Sequence, residues 1–411
     1  MPVQYRINLF FAGFISYTLG YTATVVPGVN FIIVQAFQLM GLGVLIPAAV
    51  MLFEFRLESN YLKITLLLYM IWMVAIICRG FGMQYDFLKL MLFDPSVGIF
   101  LYLTPLIVLF PDKLIFYRKA FDAILIMAVT FVIFDAALLK YLMDGDVESV
   151  ESREILEAIC KNLAIPCGFL LLSYTYHTNT KKLFALGVIA VTFVLAILRA
   201  RRGLMFMSGS LLMAFYLMSM YVNRTRPAYI LYSLLAIFIL TVTGFVLFFA
   251  NTGGIFDSLM GRIDEDTRST VEICFDQDMT QTDWWIGKGI NGEYFCPGID
   301  APDADYRTVV ETGYLNIILK GGFISLGLLL LTLLPAVYKG FFKSKNLLSK
   351  AAATWILLWM CYAHPSTITS FSMNYILVWV SVSICYSYKI RNMKDVQIKK
   401  YFTSYKSTRI L

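Results

Sequence analysis

Apolar runs of membrane-spanning length recur along almost the whole chain, separated by short polar connections. A helix of about 17 to 25 apolar residues crosses the roughly 30 Å of hydrocarbon in a bilayer. The strands of a membrane β-barrel would instead alternate in polarity and stay near about ten residues. Since helices satisfy their own backbone hydrogen bonds in lipid, the pattern predicts an all-α, polytopic transmembrane helical bundle.

About twelve spans are predicted from these runs. They cover residues 5–24, 30–53, 61–79, 95–111, 119–143, 158–176, 182–199, 203–221, 228–250, 312–338, 349–363 and 370–387. Residues 1–250 hold the first nine spans, and residues 312–411 hold the last three and a basic tail. Residues 251–311 form a large polar segment, and residues 144–157 are predicted to be an acidic loop with a short surface helix.

The charge distribution orients the chain in the membrane. Only 15% of the residues are charged, against about a quarter in soluble proteins. Most of the 34 Lys and Arg residues fall on the side that holds both termini, and most of the 27 Asp and Glu residues fall on the other. This asymmetry predicts cytoplasmic termini and an outer segment 251–311. No basic run is interleaved with aromatic residues, so a nucleic-acid partner is not expected.

The sequence offers little for a metal or a cofactor. The chain has two histidines, and its seven cysteines lack the spacing of metal ligands. We therefore expect no metal and no cofactor. Cys274 and Cys296 could form a disulfide across the outer segment in an oxidising compartment, or they could remain thiols.

Arginines interrupt the apolar pattern at a tight turn on the outer side, where Arg199, Arg201 and Arg202 separate two spans. Charges close to the hydrocarbon need partners and are candidates for function. The planar guanidinium group grips phosphate oxygens through two hydrogen bonds. The turn could therefore bind a lipid phosphate, or its side chains could reach lipid head groups or the acidic loop.

Two further ionisable residues fall on or near the same side. Asp135 interrupts an apolar run about 24 Å from the inner end of its predicted span, a depth that matches the arginine turn. It could belong to the same site or form a structural ion pair. His364 lies on the outer side and could join a site or be a structural interfacial histidine.

The outer segment supplies the remaining candidates. Arg262, Arg268 and Arg307 lie among acidic residues, as in a solvated surface or a charged site. Glu311 stands where the chain re-enters the membrane. A partly desolvated carboxylate there could accept a proton from a substrate, or it could favour the N-terminus of the next helix.

Taken in order, several of these pieces resemble the O-antigen polymerase and O-antigen ligase superfamily over roughly residues 185–335. That family has an Arg-Gly turn opening a span, an arginine-containing outer loop, a Trp-rich Gly-x-Gly stretch and a glycine-rich re-entry segment. The corresponding pieces here are Arg201-Arg202-Gly203, Arg262 and Arg268, Gly287-Lys288-Gly289, and residues 313–322, Gly-Tyr-Leu-Asn-Ile-Ile-Leu-Lys-Gly-Gly.

The resemblance implies glycosyl transfer from a polyprenyl-diphosphate-linked oligosaccharide on the outer face of a bacterial inner membrane. It also implies a fold like that of the GT-C glycosyltransferases, chemistry without a metal, and a possible chain-length regulator as partner. By the same resemblance, Arg199, Arg202, Arg268 and Arg262 would bind the diphosphate. Further candidate substrate contacts are Arg307, Tyr314, Asp135 and His364.

Glu311 separates the alternatives within the family. Ligases carry a histidine at the re-entry position, whereas this chain has Glu311. The resemblance therefore favours a repeat-unit polymerase with Glu311 as the base, and a ligase remains the alternative. A transporter of lipid-linked oligosaccharides is a third hypothesis, although the two halves of the chain show no internal symmetry of the kind that many transporters carry.

Overall fold

The computed structural model describes residues 1–144, 150–225, 267–298, 305–367 and 369–404. The predicted span 228–250 and Arg262 lie outside the described residues. Helices make up most of the described chain. They are α1 (Val3–Ala23), α2 (Phe31–Val50), α3 (Asn60–Cys78), α4 (Tyr85–Phe93), α5 (Ile99–Leu103), α6 (Leu114–Asp144), α7 (Val150–Ile159), α8 (Cys167–Leu172), α9 (Asn179–Leu198), α10 (Arg202–Val222), α11 (Thr267–Asp278), α12 (Gln281–Ile286), α13 (Gly313–Phe342), α14 (Leu347–Tyr362), α15 (Met373–Tyr386), α16 (Tyr388–Asn392) and α17 (Asp395–Ser404).

The prediction of a helical membrane protein is confirmed. In the described part of the chain, seven helices are long and apolar enough to cross a membrane. They are Phe31–Val50, Asn60–Cys78, Leu114–Leu139, Ser152–Leu172, Asn179–Leu198, Arg202–Val222 and Gly313–Phe342. Three shorter apolar helices, Ile99–Leu109, Leu347–Tyr362 and Met373–Tyr386, lie at further predicted spans.

Residues 150–157, in the described part of the acidic stretch, differ from their predicted surface position. The helix α7 begins at Val150 and continues through a π-helical stretch, Cys160–Ala164, toward α8. Ile155, Leu156 and Ile159 are each 1% exposed, because their spacing places them on one face of the helix. This apolar face packs α7 into the bundle. The acidic composition of the stretch does not reveal such a face, because composition does not say on which side of the helix the apolar residues lie.

The connections between helices gather at two ends of the bundle. At one end, the main-chain nitrogen of Phe371 donates to the carbonyl oxygen of Pro95 at 2.7 Å, and Arg79 contacts the segment after α12. We call this the cavity end. At the other, the tail end, the nitrogen of Glu54 donates to the carbonyl oxygen of Leu109 at 2.7 Å. Successive long helices therefore run in alternating directions.

The helix α13 is broken near its start and holds the described outer segment against the bundle. Gly322 has φ 66° and ψ −175°, which interrupts the helix. The carbonyl oxygens freed at Leu319 and Lys320 accept hydrogen bonds from the nitrogens of Lys288 and Gly289, at 2.7 and 3.0 Å. The Gly-x-Gly stretch and the Gly-Gly pair of the sequence therefore contact each other, which satisfies backbone groups that lipid could not.

A small second core covers this contact. It combines residues of α11, of the strand β1 (Tyr294–Phe295) and of the start of α13, and β1 pairs with a second strand, β2 (Tyr306–Arg307). Cys296 is buried in it and Cys274 packs against it, and the two are not joined by a disulfide. The two strands are antiparallel, with Tyr294 opposite Arg307.

Candidate functional site

A cavity of about 540 Å³ opens at the cavity end of the bundle. Its walls come from α7 and the π-helical stretch, from the arginine turn, from Glu311 and from the loop that joins α14 to α15. The polar residues that line it are Tyr21, Ser96, Glu154, Glu157, Lys161, Asn162, Arg201, Arg202, Glu311, Ser366, Thr367, Ser370, Ser372 and Asn374.

The arginine turn has a specific backbone geometry. The nitrogen of Arg201 donates to the carbonyl oxygen of Ala196, and that of Ala200 donates to Ile197, so α9 ends in a Schellman motif. Glycine usually occupies the left-handed position of this motif, but here it is Ala200, with φ 49°. Within the described residues it is the one non-glycine residue with positive φ. This turn starts α10 immediately and brings Arg201 and Arg202 to the cavity.

Arg199 takes a different direction from its two neighbours in the turn. It is 4% exposed and is the C-terminal cap of α9, and it does not line the cavity. The structure therefore separates Arg199 from Arg202, although a continuous helix would place them on one face.

One wall of the cavity is an ion-pair cluster that the sequence analysis missed. An oxygen of Glu157 lies 2.5 Å from Nζ of Lys161, and the other lies 3.2 Å from Nη1 of Arg201. Lys161 also donates to Oγ of Ser366 at 2.6 Å. A lysine inside a predicted span was the available signal, because intramembrane charges mark functional sites.

Glu311 lies on the wall formed by the re-entry segment. Its side chain is 46% exposed, and Oε1 is 3.8 Å from Nη2 of Arg307. Thr312 is the N-cap residue of α13, so Glu311 precedes the capping position by one residue. The hydroxyl group of Thr367 donates to the carbonyl oxygens of Val310 and Glu311, at 2.8 and 2.9 Å. This contact holds the Glu311 backbone against the α14–α15 loop.

The α14–α15 loop itself supplies hydroxyl groups. Ser366, Thr367, Ser370 and Ser372 line the cavity, together with Asn374. The side-chain nitrogen of Asn374 donates to the carbonyl oxygen of Lys161 at 2.7 Å. Of this loop, sequence reasoning singled out His364 alone. The run of small polar residues between two apolar spans was the signal that could have identified the rest.

The other predicted site residues lie elsewhere. The hydroxyl group of Tyr314 donates to the carbonyl oxygen of Met360, between two helices. Asp135 has a buried oxygen, Oδ1, with no hydrogen-bond partner in the described part of the chain, and the cavity lining does not include it. His364 is exposed beside the lining residue Pro365. Arg268 falls in α11, where the structure describes its backbone.

Arg79 stabilises the outer segment from beneath. Its guanidinium nitrogens Nη1 and Nη2 donate to the carbonyl oxygens of Gly287 and Ile286, at 3.1 and 2.6 Å. Arg79 therefore has a structural role, because it holds the end of α12 against α3.

The lining combines three basic side chains, Lys161, Arg201 and Arg202, with three carboxylates, and adds several hydroxyl groups. Such a surface can bind an anion and hydrogen-bond a polyhydroxylated molecule. Within the described residues, no group of three or more His, Cys, Asp or Glu residues could hold a metal ion. The chain matches no protein-family model, no curated protein and no solved structure at a significant level.

Proposed function

We propose that the protein is a glycosyltransferase that polymerises polyprenyl-diphosphate-linked oligosaccharide repeat units, for an O-antigen, a capsule or an exopolysaccharide. The observation that supports this most directly is that Arg202 and Glu311, which come from distant parts of the sequence, line one cavity. An anion-binding group and a candidate base at one chamber are the two parts that such a transfer requires.

The leaving group is a diphosphate, on which negative charge accumulates in the transition state. Arg202 begins α10 at the cavity wall, and its fork can hold two phosphate oxygens. A cation placed beside the leaving group stabilises the developing charge without a metal ion. In this proposal Arg199, Arg268 and Arg262 assist the binding of the diphosphate, with Arg199 acting from the buried end of α9.

Glu311 is the base of the proposed reaction. A sugar hydroxyl of the acceptor attacks the anomeric carbon of the donor, and the bond from that carbon to the diphosphate oxygen breaks. Glu311 takes the hydroxyl proton, and the diphosphate leaves as an anion and needs no separate acid. The hydroxyl groups of Ser366, Thr367, Ser370 and Ser372 are placed to bind sugar hydroxyls at the same cavity.

The proposal includes an orientation and a location. About twelve spans in a GT-C-like arrangement cross a bacterial inner membrane, with the cavity end outside and both termini in the cytoplasm. The distribution of Lys and Arg supports this orientation. The bilayer supplies the lipid-linked donor, and a chain-length regulator is a candidate protein partner.

Two other functions remain to be distinguished. A ligase would transfer a finished glycan to a lipid or protein acceptor, and Glu311 at the position of the ligase histidine argues against it. A transporter would move the lipid-linked oligosaccharide across the membrane. The grouping of charged and hydroxyl side chains at one end of the bundle favours chemistry at that face over passage through the bundle.

The glycan profile of a strain that lacks the protein tests this choice. A polymerase predicts loss of the long-chain ladder with single repeat units still attached to their acceptor. A retained lipid-linked ladder that does not reach its acceptor would instead show a ligase. Loss of all outward-facing repeat units, with lipid-linked units accumulating inside, would show a transporter.

A further inference from the structure

One carboxylate at the cavity wall lies between two cations from separate elements. Glu157 belongs to α7, Lys161 to the π-helical stretch that follows it, and Arg201 to the arginine turn. The two distances, 2.5 Å to Lys161 and 3.2 Å to Arg201, place one cation at each oxygen of Glu157. A phosphate group would meet the same two cations through two of its oxygens.

Lys161 is positioned by contacts other than Glu157. Its Nζ donates to Oγ of Ser366, and its carbonyl oxygen accepts from the side chain of Asn374. A single-turn π-helical stretch within an α-helix is frequently found at functional sites. The main chain of Arg201 is held by the Schellman motif at Ala200. Lys161 therefore has a side-chain partner besides the carboxylate, and the main chain that carries Arg201 is held by the turn.

The charges at this wall are unequal. Within the cluster of Glu157, Lys161 and Arg201, two cations face one carboxylate, which leaves a local excess of positive charge, and the three side chains are only 21 to 31% exposed. A partly desolvated excess charge attracts a further anion or a more highly charged replacement. Glu157 is the most exposed of the three, at 31%, and can turn toward solvent when such a ligand arrives.

We infer that Lys161 and Arg201 form a second oxyanion subsite in the cavity, beside Arg202, and that Glu157 occupies it as a counter-ion until a diphosphate displaces it. The inference rests on the proposed function, because the diphosphate is that of the proposed donor. It adds Lys161 as a residue that binds the diphosphate. It also makes Glu157 a competitor of the diphosphate for Lys161 and Arg201. Removal of Glu157 should tighten the binding of diphosphate.

The test measures binding of inorganic pyrophosphate to the purified full-length protein in lipid nanodiscs, by calorimetry without divalent cations. Glu157→Gln should bind at least about tenfold more tightly than the wild type, as expected when a close opposite charge no longer competes. Glu154→Gln is the matched control. It removes the same charge from the same helix and cavity, but Glu154 makes no ion pair with the described residues, and its effect should stay within about twofold.

A second substitution assigns the effect to Lys161. Glu157→Gln combined with Lys161→Gln should lose the tightening, and Glu157→Gln combined with Lys161→Arg should keep it. The thermal unfolding midpoint of each variant establishes that the protein is folded. Titration with glucuronate instead of pyrophosphate separates a sugar carboxylate from a phosphate as the source of the oxyanion.

Three results would overturn the subsite. They are equal tightening by Glu157→Gln and Glu154→Gln, tightening that survives the loss of Lys161, and no pyrophosphate binding by any variant. Tightening for glucuronate alone would overturn the assignment to a diphosphate. None of these results depends on glycosyl transfer, so a strain with a normal glycan ladder would contradict the proposed polymerase and leave the subsite standing.

Discussion

A Cβ atom built on Gly322 would lie 2.0 Å from the main-chain carbonyl oxygen of Trp285. Gly322 has φ 66°, a conformation that is nearly restricted to glycine when ψ is close to 180°. The close approach lets the end of α12 lie against the break in α13. The outer segment is thus attached to the bundle at a point where no side chain fits.

The first prediction follows from this contact. Gly322→Ala should lower the free energy of unfolding by about 3 kcal/mol or more, since it combines a strained backbone with a steric clash. Gly327→Ala is the control in the same helix, where a Cβ meets nothing within 4 Å, and alanine should be neutral or stabilising by up to about 1 kcal/mol. Thermal unfolding midpoints in detergent compare the two. Equal midpoints would contradict the close packing at Gly322.

The second prediction concerns pH and His177, which lies between two spans. Its Nε2 is 3.1 Å from Oγ of Ser173, and its ring packs edge-on against Phe121. Burial, with smaller effects from the charges of Lys181 and Lys182, lowers the pKa of His177 from 6.5 to about 3. The unfolded chain therefore binds an additional proton between these values. The stability from neutral His177 is complete above pH 6.5 and is lost as pH falls toward 3.

His177→Gln should flatten this dependence. Between pH 6 and pH 4 the wild type should lose stability more steeply than the variant, by up to about 1.4 kcal/mol per pH unit. His364→Gln replaces the exposed histidine and should keep the wild-type slope. Parallel curves for the wild type and His177→Gln would contradict the buried neutral state.

The third prediction tests the proposed orientation. In a cysteine-free background, Gln277→Cys in α11 and Lys343→Cys after α13 introduce thiols at exposed positions near opposite ends of the bundle. An impermeant maleimide added to spheroplasts should label Gln277→Cys and should label Lys343→Cys only after permeabilisation. Labelling of Lys343→Cys from outside would reverse the orientation and place the cavity in the cytoplasm.

The helical architecture could be predicted because the length of an apolar run directly limits what it can form in lipid. The α7 region could not, because its acidic residues conceal the apolar face of Ile155, Leu156 and Ile159. Composition indicates how polar a segment is, whereas packing depends on which face the polar residues occupy. The same limit explains why Glu157 and Lys161 were missed, although their spacing of four residues was visible.

The depth of a residue along a membrane-spanning helix could be estimated from the sequence. The face of the helix on which its side chain lies, relative to the neighbouring helices, could not. Asp135 was expected at the depth of the arginine turn, and the structure leaves it out of the cavity lining. A continuous helix would place Arg199 and Arg202 on one face, and the left-handed Ala200 separates them. In contrast, Arg202 and Glu311 each border a predicted span. The membrane topology was therefore enough to predict that they lie at the same end of the bundle.

The last prediction addresses the central claim that Arg202 and Glu311 serve glycosyl transfer at one cavity. The measurement is polymer synthesis from a purified lipid-linked repeat unit, compared at equal amounts of folded protein. Arg202→Ala should abolish synthesis, and Arg202→Lys should also be poor because a point charge does not replace the guanidinium fork. Arg56→Ala, at an exposed position of the tail end, is the control and should retain wild-type synthesis.

In the same assay Glu311→Gln should keep the shape of the side chain and lower turnover by on the order of 10², the usual contribution of a general base. With Arg202→Ala inactive, Glu311→Gln slowed to that extent and Arg56→Ala normal, the cavity is the site of glycosyl transfer. Near-wild-type polymer synthesis by both Arg202→Ala and Glu311→Gln would contradict it.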